Sequence, residues 1–225
     1  MAFPDLQITE IFHSLQGETS LTGERFSFIR LTGCNLRCTY CDSAYAFHGG
    51  KRMSIPEILD TVKPHETKHV LLTGGEPLLQ RNTKELARAL VSQGYAVSIE
   101  THGEVSIEAI APFARVIMDI KTPSSAMSRG EFVNNFKFLK PSDEIKFVIA
   151  SQNDYFWARD VISSTDYPNS LLTLFSPVQP AKMAPGKFPG VELKWLAEKI
   201  IEDKLSVRLQ TQLHKAIWGS DVTGV

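Results

Sequence analysis

The sequence predicts an α/β fold: a partial, open (βα)6-type barrel with an N-terminal strand extension. Three observations predict it. Short apolar runs alternate with segments whose apolar residues recur at helical spacing, the pattern of βα units and a parallel sheet. About six such units follow one another, short of the eight that close a full barrel. Polar clusters rich in Gly and Pro sit where the strands should end: Cys34–Ser43, Thr73–Pro77, Thr101–Gly103, Lys121–Ser125 and Ser176–Pro180. Ligands of parallel α/β folds bind at the carboxyl ends of strands, so these clusters should share one mouth. Turn chemistry accounts for their Gly and Pro, but not for the hydroxyl, amide, lysine and carboxylate groups beside them.

Residues 6–13 alternate in part through Leu6, Ile8 and Ile11 and read as a first strand. Phe26–Leu31 alternates large apolar residues and reads as a strand that delivers Cys34 at its end. Ser54-Ile55-Pro56-Glu57 is a capping-box pattern, which predicts a helix to about Val62, stopped by Pro64. Lys68–Leu72 is a short buried strand. Thr83–Gln93 places Leu86, Ala89 and Leu90 on one helical face, and Gly94 ends it. The alternation continues with a strand at Tyr95–Glu100, a short helix at Ile107–Phe113 and a strand at Arg115–Asp119. It goes on with a strand at Glu144–Ala150, a helix at Asp154–Ser163 and a strand at Leu171–Phe175. A helix at Glu192–Asp203 and a last strand at Val207–Thr211 complete the series. Trp195 on that helix reads as core packing or a dimer surface.

Composition narrows the class. The chain has 225 residues, 43% hydrophobic and 22% charged, with a formal net charge of −1, which is ordinary globular composition. The balance leaves no basic footprint for nucleic acid. No apolar run approaches the length of a membrane helix, and the first residues do not read as a signal peptide. The expectation is one domain over residues 1–225, in the reducing cytoplasm, where cysteines serve as metal ligands rather than disulfides.

All three cysteines lie in Gly33-Cys34-Asn35-Leu36-Arg37-Cys38-Thr39-Tyr40-Cys41-Asp42-Ser43. Thiolates select zinc, copper(I) or iron–sulfur clusters. A structural zinc site and an electron-transfer [4Fe–4S] cluster both take four ligands. Three leave one corner open, where a metal site binds substrate or cofactor. A zinc knuckle completed by His48 or His13 remains an alternative on this segment alone.

Cys-x3-Cys-x2-Cys with Tyr40 before the last cysteine resembles the radical S-adenosylmethionine (SAM) superfamily. So does Gly74-Gly75-Glu76-Pro77 after a buried strand, and a zinc knuckle predicts nothing there. The resemblance implies a [4Fe–4S] cluster on Cys34, Cys38 and Cys41, with SAM on the fourth iron, cleaved to a 5′-deoxyadenosyl radical. Further segments resemble the 7-carboxy-7-deazaguanine synthase family: Phe12-His13-Ser14-Leu15-Gln16-Gly17-Glu18, Arg30-Leu31-Thr32-Gly33-Cys34-Asn35-Leu36, Leu71 to Gln80, and Gln212-Leu213-His214-Lys215-Ala216-Ile217-Trp218-Gly219. That family implies the radical SAM fold, a partial TIM-like barrel, and conversion of 6-carboxy-5,6,7,8-tetrahydropterin to 7-carboxy-7-deazaguanine and ammonia. SAM is regenerated, and the product leads toward queuosine.

Residue roles follow by motif match as expectations. Tyr40, Cys41, Asp42, Gly75, Glu76, Asp119, Lys121 and Gln179 match SAM contacts. Leu15, Gln16, Gly17, Arg30, Thr73 and His214 match substrate contacts. Ser43 matches the hydroxyl that ligates Mg²⁺; many members carry Thr there. No catalytic side chain is implied beyond the radical that the cofactor holds. The alternatives are a surface ion pair for Arg30, a core position for His214 and a mutual pair for Asp119 and Lys121. His13, His48 and His102 receive no role. Thr19 departs from a frequent Gly. The resemblance also implies an electron donor such as flavodoxin or ferredoxin, and a homodimer. Its rivals are another radical SAM enzyme, such as a glycyl-radical-enzyme activase, and a non-catalytic zinc or iron–sulfur module.

Overall fold

A computed structural model describes residues 4–178, 190–219 and 222–225. One nine-stranded sheet organises them. Its strands are β1 (Asp5–Leu15), β2 (Arg25–Leu31), β3 (Lys51–Ser54), β4 (His69–Gly74), β5 (Ala96–Thr101), β6 (Arg115–Ile120), β7 (Glu144–Ile149), β8 (Leu172–Pro177) and β9 (Arg208–Leu209). Their order in space is β3-β1-β2-β4-β5-β6-β7-β8-β9. From β2 to β9 every pairing is parallel; β1 pairs antiparallel with both β2 and β3. The expected strand extension is therefore β1 with a partner, β3, that its short polar sequence concealed.

The helices are α1 (Ile55–Val62), α2 (Thr83–Ser92), α3 (Gln152–Ile162), α4 (Leu193–Glu202) and α5 (Leu213–Trp218). The capping box of α1 is formed: the Glu57 amide donates to Ser54 Oγ and the Ser54 amide donates to Glu57 Oε2. Gly94 follows α2 at φ 86, a left-handed position suited to glycine. Helix α3 starts earlier than its apolar spacing suggests, because Ser151 caps it by accepting from the Asp154 amide. Two crossovers depart from expectation. Ile107–Phe113 forms single turns instead of a helix, with Ala111 and Ala114 amides bonded to Ile107 and Ile110 carbonyls. Pro112 lacks the amide that would continue the ladder. Between β6 and β7 the chain uses 3-10 turns at Pro123–Ser125 and Glu131–Phe138.

Side chains of a strand alternate between two faces, and both faces of these strands are buried. The outer face carries Ile29, Leu31, Val70, Leu72, Ile99, Val116 and Met118 into the core under the helices. Trp195 sits edge-on to Tyr155, 5.5 Å away, in that layer. The inner face is stratified. Near the strand starts, Phe26, Phe28, Leu71 and Ile117 pack with Phe12 and Leu21. Two residues further along the same strands stand Arg30, Thr73 and Asp119, beside Glu100 of β5 and Lys146 of β7. Apart from the Arg115–Glu144 pair at the starts of β6 and β7, the inner face is mainly apolar at its base, and it is charged toward the carboxyl ends.

The sheet stays open. The loop between β1 and β2 spans the gap to β9 through a side chain. The Gln210 amide accepts from the Thr19 amide at 2.9 Å and donates to the Thr19 carbonyl at 2.6 Å. Thr19 stands at φ 70, where a β-branched residue is strained and glycine is at ease.

Candidate active site

The three-cysteine loop leaves β2 and is tied to the ends of three neighbouring strands. At β4, the Glu76 amide donates to the Gly33 carbonyl at 2.8 Å. A Cβ on Gly75 would lie 2.2 Å from that carbonyl oxygen and 2.8 Å from Cys34 Cβ, so this glycine is demanded by the root of the loop itself. At β5, His102 Nδ1 accepts from the Glu104 amide, which puts the ring proton on Nε2, facing Asn35 Oδ1 at 2.9 Å. At β6, the Thr39 amide and hydroxyl donate to the Ser125 and Ser124 carbonyls, and Tyr40 OH lies 3.2 Å from Thr122 Oγ1.

Cys34, Cys38 and Cys41 are free thiols, each partly exposed. Burial pushes Cys38 up to about 11, with Lys121 pulling the other way. Among the described residues, no group of three His, Cys, Asp or Glu side chains is set to hold a single metal ion. His13 stacks on His65 instead, at 5.4 Å. Three thiols from one loop, each able to take a separate iron, suit a cluster better than one zinc ion. The Leu36 amide already points at Cys34 Sγ, 3.4 Å away, as amides do around thiolates in such sites.

Glu76 is fully buried. Its carboxylate accepts from the Leu78 amide, the Thr101 hydroxyl and the His102 amide, each at 2.9 Å. Burial pushes its pKa up to about 7 against those donors. Its side chain braces β4 against β5. Tyr40 is likewise turned inward, and burial raises its pKa to about 12.

Asp119 and Lys121 do pair, at 3.0 Å; burial pulls the Lys121 pKa down, but Asp119, Tyr40 and Cys38 together hold it well above its ordinary range. Asp119 Oδ2 also faces Lys146 at 3.3 Å, whereas its Oδ1 is buried without a hydrogen-bond partner. Lys146 further contacts Glu18 at 2.7 Å and Glu100. Thr73 Oγ1 is 3.4 Å from Glu100 Oε2. Arg30 gives its Nε to Glu10 Oε1 at 2.6 Å, and its guanidinium lies against the rings of Phe12 and Tyr45. Gln16 is buried and accepts from the Glu18 amide.

Leu15 pairs with Arg25 at the start of β2, the end of the barrel away from the cysteine loop. Helix α5 reconnects the two. The Leu213 amide donates to the Gly17 carbonyl at 2.9 Å, Gln212 donates to Glu18 at 2.8 Å, and Lys215 reaches Asp42 at 2.7 Å. A Cβ on Gly17 would fall 2.0 Å from His214 Nδ1. Burial lowers the His214 pKa while Glu18 opposes it. Ser43 donates to Asp42 Oδ1 at 3.0 Å; burial raises the Asp42 pKa, but Lys215 prevails and holds it well below the carboxylate range. Gln179 lies outside the described residues. A separate open cleft of about 350 Å³, lined by His13, Ser14, Leu15, Arg25, Trp218, Gly224 and Val225, touches this constellation only at Leu15.

Several of these groups went unassigned from sequence. Lys146, between Ile145 and Phe147, is a lone cation at an inward strand position, and period-two alternation was the signal for it. Glu18 adjoins Gln16 and Gly17 in a quoted motif. His102 follows Thr101 at a strand end.

An open α/β barrel with a three-cysteine loop after its first parallel strand is the architecture of radical SAM enzymes. The Radical SAM superfamily profile matches residues 28–139. The chain is 39% identical to 7-carboxy-7-deazaguanine synthase of Chlorobaculum tepidum, over 98% of this chain and 97% of that one. It is 42% identical to the enzyme of that name from Koribacter versatilis, over 98% and 100%. Crystalline QueE from Escherichia coli shares the fold, with a TM-score of 0.70 at 20% identity, over 92% of this chain and 94% of that one. The chain belongs to the 7-carboxy-7-deazaguanine synthase family, radical SAM enzymes that use a [4Fe–4S] cluster and SAM and need a reductant. This membership removes the zinc module as a reading.

Proposed function

We propose that this chain, as a single domain, is a carbon–nitrogen lyase that converts 6-carboxy-5,6,7,8-tetrahydropterin to 7-carboxy-7-deazaguanine with loss of ammonia, in queuosine biosynthesis, using SAM catalytically. The observation that carries this reading is the cysteine loop clamped to the ends of β4, β5 and β6, beside the charged layer of the barrel. A small polar substrate and a charged cofactor both need such a layer.

In this reading Cys34, Cys38 and Cys41 hold the cluster, and bound SAM supplies a carbon-centred radical that is returned at the end of the cycle. The chain's own residues bind, orient and exclude water. Gly75 and the backbone of Glu76 offer main-chain groups to the SAM amino end, since the Glu76 carboxylate is occupied internally. Asp119 and Lys121 present opposite charges to SAM from β6, with Tyr40, Cys41 and Asp42 on the loop; Gln179 is assigned by motif alone. Leu15, Gln16, Gly17, Thr73 and His214 line the substrate, and the guanidinium of Arg30 pairs with its carboxylate. The Ser43 hydroxyl, next to the Asp42 carboxylate, offers oxygen donors for Mg²⁺, which keeps its remaining positions for substrate and water.

An electron donor such as flavodoxin or ferredoxin supplies the electron in the cytoplasm. Among the described residues no helix is long and apolar enough to cross a membrane. A homodimer belongs to the same reading, by resemblance to the family.

The test is anaerobic turnover. Reconstituted, reduced protein with SAM, Mg²⁺ and carboxytetrahydropterin should yield 7-carboxy-7-deazaguanine with little net loss of SAM. SAM cleavage without that product would sink the substrate assignment and favour another radical SAM reaction.

A further inference from the structure

Lys146 is buried inside the barrel, 3% exposed, and reaches both halves of the site from its interior. An ammonium has three N–H donors. Those of Lys146 face three carboxylates on three separate segments: Glu18 in the β1–β2 loop at 2.7 Å, Glu100 on β5, and Asp119 on β6 at 3.3 Å. Glu18 follows Gln16 and Gly17 and holds Gln212, two residues before His214. Asp119 shares its Oδ2 between Lys146 and Lys121 and leaves Oδ1 buried without a partner. Three carboxylates face two ammoniums here, so the cluster keeps one unbalanced negative charge. SAM, with its sulfonium and ammonium against one carboxylate, carries one net positive charge.

We propose that Lys146 is a positioning residue that couples the two ligands, so that SAM and the pterin each strengthen the binding of the other through Glu18–Lys146–Asp119. This rests on the reading above, in which SAM lies by Asp119 and the pterin by Gln16 and Gly17. A cation beside Asp119 competes with Lys146 for that carboxylate. The ammonium is then shared between Glu18 and Glu100 alone, which strengthens its existing contacts and fixes the β1–β2 loop and the Gln212 end of α5. Ordering that loop in advance lowers the cost of binding the pterin. Linkage requires the converse, that a bound pterin favours SAM by the same factor.

Equilibrium binding to the anaerobic, cluster-loaded protein tests this, because without reductant nothing turns over. The wild-type Kd for SAM should fall on the order of tenfold when saturating carboxytetrahydropterin is present. In Lys146→Met that ratio should approach one, and Lys146→Arg should restore part of it. Lys146→Met leaves three carboxylates facing one another and can unfold the barrel. Glu18→Met, which keeps Lys146 paired with Glu100 and Asp119, then carries the test and should also abolish the ratio. A purely structural role would lower thermal stability and leave the ratio intact; that result in either folded variant overturns the proposal. So does a wild-type protein that binds both ligands without mutual effect. A wild-type protein that binds SAM but not the pterin overturns the functional reading, and this proposal with it.

Discussion

At the scale of single residues, the site is a set of side chains whose partners were decided by position in the barrel. Cys38→Ala removes one of three thiols and should abolish both the brown iron–sulfur absorption near about 400 nm and turnover after reconstitution. Arg30 lies between Phe12 and Tyr45 with its Nε on Glu10, so its planar fork is held in orientation. Lys cannot reproduce that fork. Arg30→Lys should raise KM for the pterin by about tenfold and leave SAM affinity unchanged, as steady-state kinetics and SAM titration would report. Gly17→Ala places a methyl group 2.0 Å from His214 Nδ1 and 2.9 Å from its backbone nitrogen. The backbone contact cannot swing aside, so pterin affinity should drop while SAM binding persists. The Gln-Gly-Glu motif was legible at this scale, but the reason for its glycine was not. A partner almost two hundred residues away supplies that reason.

At the scale of elements, local signals and tertiary clasps stabilise different things. The α1 capping box is written in Ser54 and Glu57, and Ser54→Ala should cost about 1 kcal/mol in denaturant unfolding, with activity unchanged. The α3–α4 clasp is not visible in sequence: Tyr155 OH donates to Asp203 Oδ2 at 2.8 Å and to the Lys199 carbonyl at 3.0 Å, with Arg159 alongside. The Tyr155 hydrogen bond, with Arg159, lowers the Asp203 pKa below its ordinary value. As pH falls, the unfolded chain protonates this carboxyl first. The contribution is therefore full above about pH 4 and drains away as pH drops through the depressed native pKa. Asp203→Asn should flatten the acid limb of a stability-versus-pH curve below that point and leave the neutral region parallel to wild type. Helix α5 is held by Gly17 on one side and Asp42 on the other, which makes it the element that sets the distance between substrate loop and cysteine loop.

At the scale of the whole molecule, alternate faces of one sheet do two jobs. The outer face and helices form the apolar core; Phe147, fully buried and edge-on to Trp157 and Phe175, is part of it. Phe147→Ala should cost about 3–5 kcal/mol by denaturant unfolding. The inner face holds charges that are stable only because each is paired: Lys146 with three carboxylates, Arg30 with Glu10, Arg115 with Glu144. The sequence by itself determined the parallel α/β order, the strand ends that carry chemistry and the three-thiol loop, because period-two and helical periodicities and turn residues act locally. It missed β3, the turns at Ile107–Phe113 and the Glu18–Lys146–Asp119 cluster. A strand with no apolar stripe has no local signal, Pro112 interrupted a plausible helical pattern, and a charge inside a strand does not name its partner. Only the curl of the sheet decided those pairings, because closing long stretches of chain around one interior sets which distant charges must neutralise one another.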